Sequence, residues 1–260
     1  MKRHKILALV LLVSMSTLLT SCGDSSTTEK KTLLIYSGTA MTQAMEEIAA
    51  IIEEQENCTI TIQAGNSGSL LETIRNEQVG DLYLPGDDSF IATALREDLV
   101  IETALVGYNE PVAMVREGNP LGITAAPASF ADEAYVLAIA DPEKASVGKE
   151  TIHIFANMRI LDQAMDNVHS TTATAAELVG ILKNGEADLI INWYTWSVDP
   201  ETAPFVDAVR ISEQYVSRKK LVLGLLITSE YPELARKFMA YAASDAGQAV
   251  FNKYGLYDVE

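Results

Sequence analysis

Thr32-Leu33-Leu34-Ile35-Tyr36-Ser37-Gly38-Thr39-Ala40-Met41-Thr42 is an apolar run that ends in small and hydroxyl residues. Just beyond it Met41, Met45, Ile48 and Ile52 share one face of a helical pattern, with Glu46, Glu47, Glu53 and Glu54 elsewhere. A strand that feeds a helix through a small-residue turn is the repeating unit of an α/β protein. The unit recurs along the chain. Residues 58–62, 81–84, 112–115, 135–140, 188–191 and 221–227 read as further strands, and 69–78, 90–97, 147–158, 175–183, 232–243 and 245–254 as helices. Several strands are nearly continuous apolar runs, as expected where helices cover both faces of a sheet. The pattern predicts an α/β fold with largely parallel sheets.

Composition sets the outer limits. With 260 residues the chain sits at the upper edge for one core. Hydrophobic residues make up 48% and charged residues 21%, which excludes a disordered or collagen-like chain. Two Cys and three His leave no basis for a disulfide scaffold or a Cys/His zinc site, and no metal or cofactor is expected. The formal net charge is −17, which argues against nucleic-acid binding.

The first residues read as an export signal rather than as fold. Lys2, Arg3 and Lys5 precede a mostly apolar run, residues 6–20, that is too short and too interrupted to span a membrane. It ends in Leu19-Thr20-Ser21-Cys22, which resembles the bacterial lipobox: Leu, two small residues, then the Cys that is acylated and becomes the new N-terminus. A signal peptide is thus expected over 1–21, and an acylated Cys22 with a polar tether over 22–31. Removing 1–21 takes away three basic residues and no acid, so the mature chain carries −20. Cys58 is then its one thiol, which cannot form an internal disulfide.

Motifs for catalysis are missing: no H-E-x-x-H, Walker A or G-x-G-x-x-G is present. Gly65-Asn66-Ser67-Gly68-Ser69 lacks the final Gly of a nucleophile elbow. His153 and His169 read as structural polar residues, and Asp87-Asp88 after Pro85-Gly86 as a turn. A different pattern recurs. Ser37 to Thr42, Gly65 to Ser69, Ala145 to Gly148 and Ser170 to Thr174 each lead into a helix through small and hydroxyl residues. Helix starts carry free N–H groups and the positive dipole end, and small residues let an anion approach them. N-capping explains any one such start. Four in one chain point to a converging anion pocket.

Gly80-Asp81-Leu82-Tyr83-Leu84-Pro85-Gly86-Asp87, Asp141-Pro142-Glu143 with Gly148, Gly185-Glu186-Ala187-Asp188, and the tail from Tyr231-Pro232-Glu233-Leu234 to Lys253-Tyr254-Gly255 together resemble the type II periplasmic solute-binding proteins of ABC importers. Within these the D-P loop and the serine loop are similar to the molybdate-binding branch. The resemblance spans residues 32 to 257. It implies two α/β lobes, each a mixed sheet flanked by helices, joined by two hinge strands. The lobes would be 32–109 with 212–260, and 110–211. It further implies a dehydrated tetrahedral oxyanion held by hydroxyls, backbone N–H groups and an aromatic hydroxyl. Carried over, the ligand-binding residues are Ser67, Gly68 and Ser69 from the second serine loop, Val147 from the D-P loop, and Ala175 after Thr174. The first-loop Ser falls on Ala40, with Ser37, Gly38 and Thr39 beside it. The aromatic hydroxyl falls on Trp193, with Tyr194 next to it; Trp offers an N–H but no hydroxyl.

The expected protein is not an enzyme. It is an exported, lipid-anchored, monomeric receptor that passes a molybdate- or tungstate-like oxyanion to an ABC permease. Alternatives are an organic anion such as a phosphonate or sulfonate in the same fold, with Trp193 and Trp196 as stacking walls, a secreted α/β hydrolase using Ser67, and an adhesin or sensor with a vestigial pocket.

Overall fold

The computed structural model describes residues 30–257. The expected signal peptide, Cys22 and most of the tether lie outside the described residues. Among the described residues, no helix is long and apolar enough to cross a membrane.

The chain runs β1 (Thr32–Gly38), α1 (Thr42–Glu56), β2 (Thr59–Gly65), α2 (Ser67–Glu77), β3 (Leu82–Leu84), α3 (Asp88–Arg96) and β4 (Val100–Asn109). It continues with β5 (Pro111–Arg116), α4 (Pro127–Phe130), β6 (Leu137–Ala140), α5 (Ser146–Asn157), α6 (Leu161–Asp166), β7 (Val168–Thr172), α7 (Ala175–Lys183), β8 (Leu189–Trp193) and β9 (Val206–Val209). It closes with β10 (Lys219–Leu226), α8 (Pro232–Ala242) and α9 (Asp245–Lys253). Two five-stranded sheets result, ordered β2-β1-β3-β10-β4 and β7-β6-β8-β5-β9.

The sheets share one plan. In the first, β1 pairs in parallel with β2 and β3, while β10 is antiparallel to β3 and β4. In the second, β6 pairs in parallel with β7 and β8, while β5 is antiparallel to β8 and β9. Both sheets are therefore mixed, where the periodicity alone pointed to mainly parallel ones. The antiparallel members are the strands next to the crossings: the chain leaves the first sheet at Asn109, enters the second at Pro111, leaves it at Val209 and returns at Lys219. Strands β4, β7 and β9 were not foreseen as strands; β7 is mostly exposed and polar, so it carries no apolar signal.

The inner strands of each sheet are buried on both faces, which is why they read as apolar runs. Leu33, Ile35 and Leu82 pack with α1, α8 and α9 on one side of the first sheet. Tyr36 and Tyr83 pack with α2 and α3 on the other. Two corresponding cores flank the second sheet. The two acidic motifs act as strand ties: Asp81 accepts from the Leu34 N–H at 2.8 Å, and Asp188 from the Val136 N–H at 3.0 Å. Asp87 caps α3 by accepting from the Ser89 N–H. Cys58 is buried and unpaired.

Candidate functional site

In both sheets the parallel strands deliver their carboxyl ends to one crevice, where α/β proteins of this kind bind ligands. Gly38, Thr39, Ala40 and Met41 arrive after β1, Asn66 and Ser67 after β2, and Gly86 after β3. From the facing lobe come Ala145, Ser146 and Val147 after β6, Ala175 after β7, and Trp193 at the end of β8. They enclose about 20 Å³, the space of one to two waters on that scale. Every lining side chain is neutral.

The donors on the first lobe are held from behind. Ser67 Oγ accepts from the Gly86 N–H at 3.0 Å, so its own proton is free to point elsewhere. The Tyr83 hydroxyl donates to the Ser67 carbonyl at 2.6 Å and fixes the first turn of α2. Burial, with the Asp87 charge adding to it, pushes this phenol well up, so it stays a donor through physiological pH. The other α2 groups are spent: the Asn66 side chain accepts from the Ser69 N–H at 2.8 Å, and the Gly68 N–H donates across the cleft to the Lys144 carbonyl at 2.8 Å.

The second lobe differs. Helix α5 begins with Ala145 at its N-cap and has no side-chain cap, so its first-turn N–H groups have no side-chain acceptor. Gly148 seats that turn against β6: a Cβ there would stand 2.4 Å from the Ala140 oxygen and 2.5 Å from the Asp141 oxygen. At α7 the Thr174 hydroxyl accepts from the Glu177 N–H at 3.1 Å. Buried Asn192 donates to the Ala175 carbonyl at 2.8 Å and accepts from the Trp193 N–H at 2.9 Å, tying two walls of the pocket together.

The cleft is closed. Besides the Gly68 bond, Gln43 Nε2 donates to Asp199 Oδ2 at 2.6 Å, Asn66 Nδ2 to the Ala173 carbonyl at 3.2 Å, and Lys149 Nζ to Ser89 Oγ at 2.9 Å. Gly86 makes the approach possible, since a Cβ there would lie 2.2 Å from Ser146 Oγ and 3.4 Å from Trp193 Nε1.

Of the residues expected to bind ligand, the fold gathers Gly38, Thr39, Ser67, Val147, Ala175 and Trp193 around the pocket. Ser37 is fully buried and donates to the Gly38 carbonyl. Gly68, Ser69 and Thr174 serve the cross-cleft bond and the caps just described. Tyr194 lies at the crossing, its N–H on the Glu110 carbonyl and its ring 6.1 Å from that of Tyr257. Sequence reasoning passed over Gly86 and Ser146. Ser146 stood inside the Ala145–Gly148 run and was recognisable there; Gly86 had no local signal, because its role is set by the opposite lobe.

The profile described as bacterial extracellular solute-binding protein matches residues 33–257. A Haemophilus influenzae protein named only as a binding protein is 25% identical over 228 residues, covering 86% of this chain and 90% of the relative. Among solved structures, the periplasmic molybdate-binding protein of Azotobacter vinelandii superposes with a TM-score of 0.77 at 14% identity, covering 88% of this chain and 100% of that one. The sulfate-binding protein SubI of Mycobacterium tuberculosis superposes with 0.76 at 14% identity, covering 88% of each chain. At such identities the structural likeness speaks for the fold alone.

Proposed function

The chain belongs to the bacterial extracellular solute-binding protein family, and from that premise we propose that it is the lipid-anchored receptor of an ABC importer, holding a molybdate- or tungstate-like tetrahedral oxyanion between its lobes. Family members bind solutes rather than turn them over. Ser67 fits this, since its hydroxyl is engaged by a backbone N–H and not by a base.

One observation carries the ligand reading: a small closed pocket is walled by helix starts and hydroxyls, without a charged side chain. Such a pocket holds an anion through fixed dipoles and needs no buried cation, whose desolvation would be costly. A mature charge of −20 offers no long-range attraction, and salt screens that field within about 8 Å, so the pocket itself supplies the binding energy. In this reading Thr39, Ser67, Ser146 and the Trp193 indole donate from side chains, and the starts of α5 and α7 donate through Val147 and Ala175. The lobes would hinge at the two crossings, and acylation of Cys22 would hold the receptor at the membrane for its permease. The supporting sequence for the anchor is Leu19-Thr20-Ser21-Cys22.

A thermal-shift screen over molybdate, tungstate, sulfate, phosphate and small organic anions tests the ligand. A tetrahedral oxyanion at 100 times its Kd should raise stability by about 2.7 kcal/mol. Absence of any shift across the set contradicts the reading. An organic anion with an oxyanion head is the second reading, favoured by the indole of Trp193 in the wall and by a larger cavity alongside.

A further inference from the structure

The larger cavity, about 290 Å³, adjoins the neutral pocket along Thr39 and Ala40 on one lobe, with Ala176 following the pocket's Ala175 on the other. It too is interlobe: Thr42 and Gln43 face Thr195, Trp196, Asp199 and Glu201. Its chemistry is the reverse of its neighbour's. Two carboxylates line it and no Lys, Arg or His does; Lys183, outside the lining, donates to the Glu201 backbone carbonyl at 3.2 Å.

It also concentrates unmet hydrogen bonds. Five buried side-chain polar atoms among the described residues lack a partner, and three belong to its lining: Thr42 Oγ1, Thr195 Oγ1 and Trp196 Nε1. Thr195 is 4% exposed. Buried polar groups are ordinarily paired, so a cluster of unpaired ones beside a cavity marks where a partner belongs. Asp199 keeps acceptor capacity: one oxygen takes the Gln43 amide and the other the Glu201 N–H, and a carboxylate has about four lone-pair sites.

Resting on the oxyanion reading of the neutral pocket, we propose that this cavity is a second subsite that takes an ammonium group, so that the ligand is a small zwitterion: a phosphonate, sulfonate or phosphate ester bearing an amine a few bonds away. The head group meets neutral donors, and the ammonium meets Asp199 and Glu201 with the Thr195 hydroxyl beside them. Both subsites are lined from both lobes, so a ligand that fills the two favours the closed form.

The test is calorimetry on the full-length protein in detergent with 2-aminoethylphosphonate and ethylphosphonate, which share a head group and differ in the ammonium. The aminated compound is expected to bind at least about tenfold tighter, and Asp199→Asn with Glu201→Gln to bring the ratio of affinities close to one. Thr195→Val should lower the affinity for the aminated compound severalfold. A wild-type ratio within twofold, while ethylphosphonate or molybdate still binds, overturns the subsite and leaves the oxyanion pocket standing. A ratio that survives the double substitution overturns it as well. If no oxyanion of any kind binds, the oxyanion reading itself falls and takes the subsite with it.

Discussion

Helices α2 and α5 begin on opposite lobes of the same cleft, and they begin differently. The α2 start, Gly65-Asn66-Ser67-Gly68-Ser69, has the richest run of hydroxyls and glycines, yet most of its hydrogen-bonding capacity is spent. Asn66 caps it, Gly68 bonds across the cleft, and of its two serines only Ser67 lines the pocket, beside Gly65 and Asn66. The α5 start, Ala145-Ser146-Val147-Gly148, is plainer and sets the same number of residues, three, into the pocket wall, but it has no side-chain cap. A sequence rich in donors is thus no guide to which donors are open. What decides is whether a local side chain has already claimed the N–H groups.

The sharpest way to break this contrast is to move α5. Gly148→Ala forces a Cβ against two carbonyl oxygens that cannot give way, and should cost about 2–3 kcal/mol of stability with loss of measurable anion binding. Urea unfolding and calorimetry read the two effects. At α2, Ser67→Ala would, on the proposed reading, remove one donor to a charged ligand, worth roughly 1.5–3 kcal/mol, or about 10- to 100-fold in affinity. It also strips the Gly86 N–H of its acceptor, so a modest fall in melting temperature should accompany it. Gly68→Ala acts differently again. Its Cβ would stand 2.8 Å from the Lys144 oxygen on the other lobe, so it should hinder closure and weaken binding about tenfold, by analogy with overpacking costs of 1–3 kcal/mol. The unliganded protein should melt almost unchanged.

Ser69→Ala should change affinity less than about twofold, because the backbone N–H, not the hydroxyl, makes this residue's bond to the cap. The smallest effects are those of medium. With neutral donors and no titratable lining side chain, affinity for an anion of constant charge should vary less than about threefold between pH 6 and 9 and on adding inert salt. A steep salt slope would favour a cationic site instead.

Much of the fold was legible because the strands are buried on both faces and the helices are amphipathic. Residues 32–36 and 221–227 read as strands for that reason, 58–62 from its β-branched Thr59-Ile60-Thr61-Ile62 run on a half-exposed edge, and the 245–254 helix from its amphipathic pattern. Strands β4 and β9 were missed because neither presents a buried apolar run: β4 is exposed over Ile101, Glu102 and Thr103, and β9 is four residues long with only Val206 buried. The candidate site was legible to the level of loops, in that Thr39, Ser67, Val147, Ala175 and Trp193 line one pocket. It was not legible to the level of donors. Ser69 looked equal to Ser67, and their difference lies in the Asn66 cap and in Gly86, which approaches from another loop. The acidic cavity was invisible, because Gln43 and Asp199 are 156 residues apart and meet only across the closed cleft.

The most direct test of the central claim, that an anion is held by neutral donors between the lobes, is to locate the metal by anomalous scattering in crystals grown with tungstate. The account predicts one strong peak inside the pocket bounded by Thr39, Ser67, Val147, Ala175 and Trp193. A principal peak at a cationic side chain on the surface, such as Arg159 or the Arg75 that is paired with Glu97, with none in the cleft, would contradict it.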